Sequence, residues 1–298
     1  LPNSPELTMC DDNSLDDMLD EIRSNSDVSR RRFGALTLGT GLTMMLPLAA
    51  NAVDVAESDV ELKTPDGTCD AYFAHPAKGA HAGVLMWPDA GGLRPAFRQM
   101  GKRLAQSGYS VLVPNPFYRT RRAATGPMNF QDPVAREAMM ATMRSLNPTT
   151  NVTDASAFVA WLDSQPSVNK RRKLATTGYC MGGPMTMRTA AAFPGRIGAA
   201  ASFHGGGLVT DTPDSPHRLV PTIKAQYLFA IAENDDQRQP EAKNVLREAF
   251  AKARLKAEVE VYAGAQHGWC PPDGAVYNEA QAERAWGRML VLFKRALA

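Results

Sequence analysis

The sequence predicts an α/β fold with a mostly parallel central sheet and helices on both faces. Three observations predict it. From Gly83 onward, short apolar runs alternate with longer amphipathic ones, the pattern of parallel strands joined by helical crossovers. A glycine-rich turn, Gly178-Tyr179-Cys180-Met181-Gly182-Gly183, separates a β-prone run at 173–179 from a helix-compatible run at 184–193. Carboxylates and a histidine stand directly after two later apolar runs, at the strand ends where open α/β sheets build their sites.

In chain order, 60–64 and 69–74 are short strand candidates flanking Pro65-Asp66-Gly67, a strong turn signal, so the domain opens with a β-hairpin. Residues 83–87 form an apolar strand leading into Pro88-Asp89-Ala90-Gly91-Gly92. Residues 94–106 read as an amphipathic helix stopped by Gly108, and 110–113 as the next strand, completing a β-α-β unit. The stretch 114–132 carries Pro, Gly and the cations Arg119, Arg121 and Arg122; it reads as a loop or small cap over the strand ends. Helical runs follow at 133–143 and 153–163, the second with Phe158, Trp161 and Leu162 on its apolar side. Met139, Met140 and Met143 read as core filler. After the elbow strand and its helix come a strand at 197–203, a strand at 226–232, a helix at 241–253, a strand at 258–262 and a terminal helix around 280–296.

Cys180 sits at the strand-to-helix elbow with Gly178 and Gly182 two residues to either side. Missing side chains there let the chain turn sharply and push a nucleophile out of the sheet. A small buried cysteine in a glycine-rich turn is the alternative. Partners for a nucleophile follow in the order acid, base. Strand 226–232 runs into Glu233-Asn234-Asp235-Asp236, and strand 258–262 is followed by Ala263-Gly264-Ala265-Gln266-His267-Gly268-Trp269. His267 is placed to form an ion pair with Cys180, while the start of the following helix favours the anion. Asp235, or Asp236 beside it, would orient the imidazole. Attack on a carbonyl creates an oxyanion, for which the backbone N–H groups of Met181 and Ala90 are the candidate donors. Trp269 either shapes an acyl pocket or packs its loop. No Cys-x-x-Cys pair and no histidine cluster with zinc spacing occurs in the sequence, so a metal site has little support.

With 298 residues, 44% of them hydrophobic, the chain can bury a substantial core in one large α/β domain. Residues 1–52 differ in character. An acidic lead ends at Ser29-Arg30-Arg31-Arg32-Phe33, a twin-arginine pattern. A mildly apolar run at 34–49 and Ala50-Asn51-Ala52, a small-residue cleavage site, follow it. The run is short and broken by Gly34, Gly39, Gly41 and Pro47, which argues against a membrane span. Residues 1–52 therefore read as a signal for the Tat export machinery, and 53–298 as a single periplasmic or secreted domain, membrane-anchored where the signal stays uncleaved. Residues 1–52 hold four Arg and eight Asp or Glu, so without them the net charge rises from +2 to +6. That bias suits anionic small molecules; the cations lack the broad stripe and the recognition module of a nucleic-acid binder. Cys69, Cys180 and Cys270 remain in this domain. In an oxidising compartment an odd count leaves one thiol free or paired between chains, and a Cys69–Cys270 disulfide would leave Cys180 reduced.

Taken together, these motifs resemble the dienelactone hydrolase family of α/β-hydrolases. Gly178-Tyr179-Cys180-Met181-Gly182-Gly183 matches its Cys-centred elbow, Glu233-Asn234-Asp235 its acid loop and His267-Gly268 its histidine loop. Pro114-Asn115-Pro116-Phe117-Tyr118-Arg119 is similar to its Pro-Asp-x-Tyr-x-Arg segment, and the likeness extends over roughly residues 58–297. The resemblance implies an α/β-hydrolase fold and hydrolysis of a small lactone or ester through an acyl-thiol intermediate, without metal or organic cofactor. It favours Asp235 over Asp236 as the acid and places Arg119 on an arginine that binds the substrate carboxylate. Two departures stand out: Asp89 replaces a glutamate that meets the resting thiol, and no arginine follows His267 within His267-Gly268-Trp269-Cys270-Pro271-Pro272. The same triad would serve a general carboxylesterase or thioesterase. A non-catalytic ligand-binding or redox-responsive protein, with Cys180 oxidised, is the reading from a different class.

Overall fold

The computed structural model describes residues 52–123 and 132–298. The expected export signal lies outside the described residues apart from Ala52, and so does the 124–131 part of the expected loop or cap.

The chain opens on a hairpin of β1 (Val55–Thr64) and β2 (Gly67–Pro76), paired from Val55↔Pro76 to Thr64↔Gly67 about the Pro65-Asp66 turn. Both strands run beyond the expected 60–64 and 69–74. Most of β1 is exposed, so no alternation of apolar residues announces its outer half; the ladder hydrogen bonds extend it. There follow β3 (Gly83–Trp87), α1 (Pro95–Gln106), β4 (Ser110–Pro114), α2 (Pro133–Met143), α3 (Pro148–Ser164), β5 (Leu174–Tyr179), α4 (Gly182–Ala192) and β6 (Ile197–Phe203). A 3-10 turn at Pro216–Thr222 precedes β7 (Gln226–Ala232), α5 (Glu233–Arg238), α6 (Ala242–Lys252), β8 (Ala257–Tyr262) and α7 (Glu279–Ala296).

Two elements differ from expectation for local reasons. Helix α3 starts well before 153 because Asn147 and Thr150 form a reciprocal capping box around Pro148, which offsets the poor helix propensity of the Thr and Asn residues in its first turns. Glu233-Asn234-Asp235, which the resemblance gives as an acid loop, open the short helix α5, whose first turn carries Glu233, Asp235 and Asp236, acids that favour a helix N-terminus.

The eight strands are ordered β1-β2-β4-β3-β5-β6-β7-β8; β1, β2 and β4 pair antiparallel and every other neighbour is parallel. Successive side chains of a strand face opposite sides, and the core divides accordingly. Leu85, Trp87, Leu174 and Phe229 pack on one face with Phe158, Met185, Leu246 and Phe250 of α3, α4 and α6. Val84, Met86, Ala175 and Leu228 pack on the other with Phe97, Met100, Trp286 and Phe293 of α1 and α7. Met139, Met140 and Met143 are buried in the first cluster. Each large apolar side chain so buried contributes about 1.5–3 kcal/mol. This rigid sheet aligns the carboxyl ends of β3, β5, β7 and β8 along one edge.

Candidate active site

Strand β5 ends at Tyr179, and Cys180 turns the chain with φ at +53°, a left-handed conformation that costs a non-glycine residue about 1–3 kcal/mol. The flanking glycines make this turn sterically possible. A Cβ on Gly178 would stand 2.0 Å from Gly182 O, and one on Gly182 would stand 2.6 Å from Trp87 O. Helix α4 therefore begins directly against the end of β3. The Cys180 N–H donates to Phe203 O and to His204 Nδ1, both at 3.1 Å. Cys180 is 7% exposed.

Asp235 and His267 follow β7 and β8, in segments locked to each other before any side-chain pairing. Glu233 N–H donates to Ala265 O at 2.9 Å, Gly264 N–H to Glu233 Oε2 at 3.1 Å, and His267 N–H to Asn234 Oδ1 at 2.9 Å. His267 Nδ1 donates to Asp235 Oδ2 and Oδ1 at 2.8 and 3.0 Å. Asp236 faces away and pairs with Lys243 at 2.6 Å, which separates two carboxylates that adjacency in sequence left open. Burial works to lower the His267 pKa, but Asp235 and the charge Cys180 carries when ionised outweigh it and hold the imidazole well above its ordinary value. His267 Nε2 is buried and makes no hydrogen bond of good geometry in the resting structure, leaving it available to a reacting group.

Strand β6 lies between β5 and β7, and the residue after it, His204, is fully buried beneath the site with φ at +39°. Its ring meets His267 at 5.0 Å and Trp269 at 5.2 Å between centroids. Because Nδ1 accepts from Cys180, the proton of a neutral ring sits on Nε2, which has no partner. Burial, reinforced by the His267 charge, keeps His204 well below the ordinary histidine pKa. Sequence reasoning missed His204. Its signal was present: a histidine followed by Gly205-Gly206-Gly207, directly after an apolar strand.

Ala90 follows β3 by three residues and Met181 directly follows Cys180, and among the described residues neither N–H donates a loop or turn hydrogen bond. Asp89 is tied down: its Oδ1 accepts from Gly91 N–H at 2.8 Å, and both of its oxygens accept from Arg94 at 2.5 and 3.0 Å. Arg119, expected as a ligand for a substrate carboxylate, spends its donors elsewhere. It grips Asp154 at 2.7 and 2.9 Å and Asp66 at 2.5 and 3.0 Å, with its plane over the Tyr118 ring. A substrate carboxylate would compete with both aspartates. Trp269 is fully buried and stacks on Tyr262 at 5.4 Å, so it packs the histidine loop from behind.

Cys69, Cys180 and Cys270 are all free thiols. The Cys69–Cys270 disulfide that the sequence left open is absent: Cys69 lies in the cluster on one face of the sheet and Cys270 in the cluster on the other. Burial pushes both thiols above the ordinary cysteine pKa.

The dienelactone hydrolase family model matches residues 69–297. A Salmonella typhi protein provisionally named carboxymethylenebutenolidase is 29% identical over 231 residues, covering 75% of this chain and 81% of its own length. The carboxymethylenebutenolidase of Rhodococcus opacus is 26% identical over 242 residues, covering 79% and 90%. Among solved structures, a Klebsiella pneumoniae protein provisionally named dienelactone hydrolase superposes with a TM-score of 0.66 at 24% identity, covering 81% of this chain and 99% of that one.

Proposed function

The chain belongs to the dienelactone hydrolase family, and we propose that it hydrolyses a small ester or lactone at Cys180 through an acyl-thiol intermediate. The observation that carries this reading is the bidentate Asp235–His267 pair held beside a cysteine at a strained elbow. In the forward step the Cys180 thiolate adds to the carbonyl carbon, and the carbonyl electrons move to oxygen. The N–H groups of Ala90 and Met181 are the donors for that oxyanion. Its collapse expels the alkoxide, which takes the proton from His267 and leaves an acyl thioester. Neutral His267 then removes a proton from water; hydroxide adds to the thioester, and the Cys180 thiolate leaves, giving the acid. Asp235 holds the imidazole in the tautomer that presents Nε2 and stabilises its charged form.

Because Arg119 is engaged by Asp66 and Asp154 and Asp89 by Arg94, the reading asks for no carboxylate on the substrate. p-Nitrophenyl acetate is therefore a fair first probe. Wild type should turn over, with acetyl trapped on the Cys180 peptide by mass spectrometry. Cys180→Ala should fall to background, and His267→Ala and Asp235→Asn should lose about 10²–10⁴-fold in kcat, whereas Asp236→Asn should stay within twofold. Full activity in Cys180→Ala would sink the nucleophile assignment.

A further inference from the structure

Arg94 occupies the residue before α1, where its side chain makes no capping hydrogen bond although Ser, Thr, Asp or Asn would be favoured there. It is only 2% exposed. Its guanidinium joins two loops that sequence reasoning never connected. Nη1 and Nη2 donate to Asp89 Oδ1 and Oδ2, while Nε and Nη2 donate to Asp273 Oδ2 and Oδ1 at 2.7 and 3.0 Å. Asp89 immediately precedes Ala90, and its side chain and carbonyl accept from the N–H groups of Gly91 and Gly92. Asp273 lies on the other side, in the segment between His267 and α7. Gly91 rests directly on the arginine: a Cβ there would stand 2.6 Å from Arg94 Nη1.

Desolvating one guanidinium and two carboxylates roughly offsets what their pairing returns, so stability is a weak reason for this cluster. Geometry is a stronger one. Two planar bidentate pairs on one rigid fork define distance and angle between the loops in a way that a lysine, a point charge on a flexible stem, does not. An oxyanion donor is useful only when held where the charge develops, and a misplacement of about 1 Å costs roughly 10²-fold.

We propose that Arg94 is a positioning residue for ester hydrolysis, holding the Ala90 amide against the His267 loop through Asp89 and Asp273. This role rests on the reading of the chain as an ester hydrolase. The test compares full-length wild type, Arg94→Ala, Arg94→Lys and Cys180→Ala for kcat, KM and thermal melting with p-nitrophenyl acetate. It also measures wild type and each arginine variant in tens of millimolar guanidinium chloride.

The expected result is a kcat about 10²-fold lower in both arginine variants, with KM within threefold. Guanidinium should restore Arg94→Ala at least fivefold and leave wild type unchanged. Arg94→Lys keeps a cation to meet the carboxylates, so it reads the loss of geometry where Arg94→Ala does not fold. Wild-type kcat in Arg94→Lys, or a loss that follows only the folded fraction and is not rescued, overturns the proposal. Turnover retained in Cys180→Ala but lost in the arginine variants overturns the nucleophile assignment alone and supports Arg94. An inactive wild type overturns both.

Discussion

Two histidines whose ring centroids stand 5.0 Å apart have pKa values pushed in opposite directions, and the cause lies in what each ring meets. His267 faces Asp235 and Cys180 and holds its proton to a pKa well above 6.5; His204, buried and facing only the charge of His267, stays neutral to well below 6.5. Their linkage to folding has opposite signs. Below the ordinary value of about 6.5 the unfolded chain binds a proton at His204 that the folded protein refuses, so stability falls as pH drops through this range. The His267 contribution is fully present below about 6.5 and is lost as pH rises toward its raised folded pKa. Urea denaturation across pH 5 to 9 should therefore show each residue bending one limb, by at most about 1.4 kcal/mol per pH unit. His204→Phe should flatten the acid limb and His267→Gln the alkaline limb. An unchanged acid limb in His204→Phe would show that its buried neutral ring is not what is titrating.

At the scale of elements, the elbow depends on the approach of α4 to β3 and β5, which only glycine permits. The Cβ of Gly178→Ala would collide with the backbone carbonyl of Gly182, and backbone cannot rotate away as a side chain can. Overpacking ordinarily costs about 1–3 kcal/mol; this substitution should reach or exceed the upper end and lower kcat by moving Cys180. At Gly195, with nothing within 4 Å of an added Cβ, Gly195→Ala should change stability by less than about 1 kcal/mol. Chemical denaturation and kcat for the two variants read the difference directly. Equal stability and activity would mean that the elbow adapts freely. Arg119 links the β1–β2 turn, through Asp66, to Asp154 of α3. It therefore ties elements together where family resemblance suggested a ligand contact.

For the whole molecule, the sheet is a barrier as well as a scaffold. Cys69 and Cys270 lie in cores on its opposite faces, and a disulfide needs Cα atoms within about 7 Å. Purified under oxidising conditions, denatured without reductant and treated with iodoacetamide, the protein should yield alkylated Cys69 and Cys270 peptides. A Cys69–Cys270 linked peptide would contradict the strand order around β2 and the packing of the histidine loop. All three thiols are buried; what sets Cys180 apart is its place at the carboxyl end of β5, beside His204 and the start of α4.

The sequence by itself determined the α/β alternation, the elbow at Cys180, and the order of nucleophile, acid and base, because these are local. Apolar periodicity, glycine spacing and position after a strand are all properties of a few neighbouring residues. Even there its reach was uneven: buried β3 and β7 are delimited correctly, while exposed β1 lost its outer half for want of an apolar pattern. Only the tertiary structure decided between Asp235 and Asp236, since the choice turns on which carboxylate α5 rotates toward His267 and which toward Lys243. It also revealed His204 under the site, Arg94 between Asp89 and Asp273, and the engagement of Arg119 by Asp66 and Asp154. Those contacts join residues as much as 179 positions apart. A charged side chain carries no mark in the sequence of whether it meets solvent, substrate or another charge; the fold supplies the partner and thereby the role.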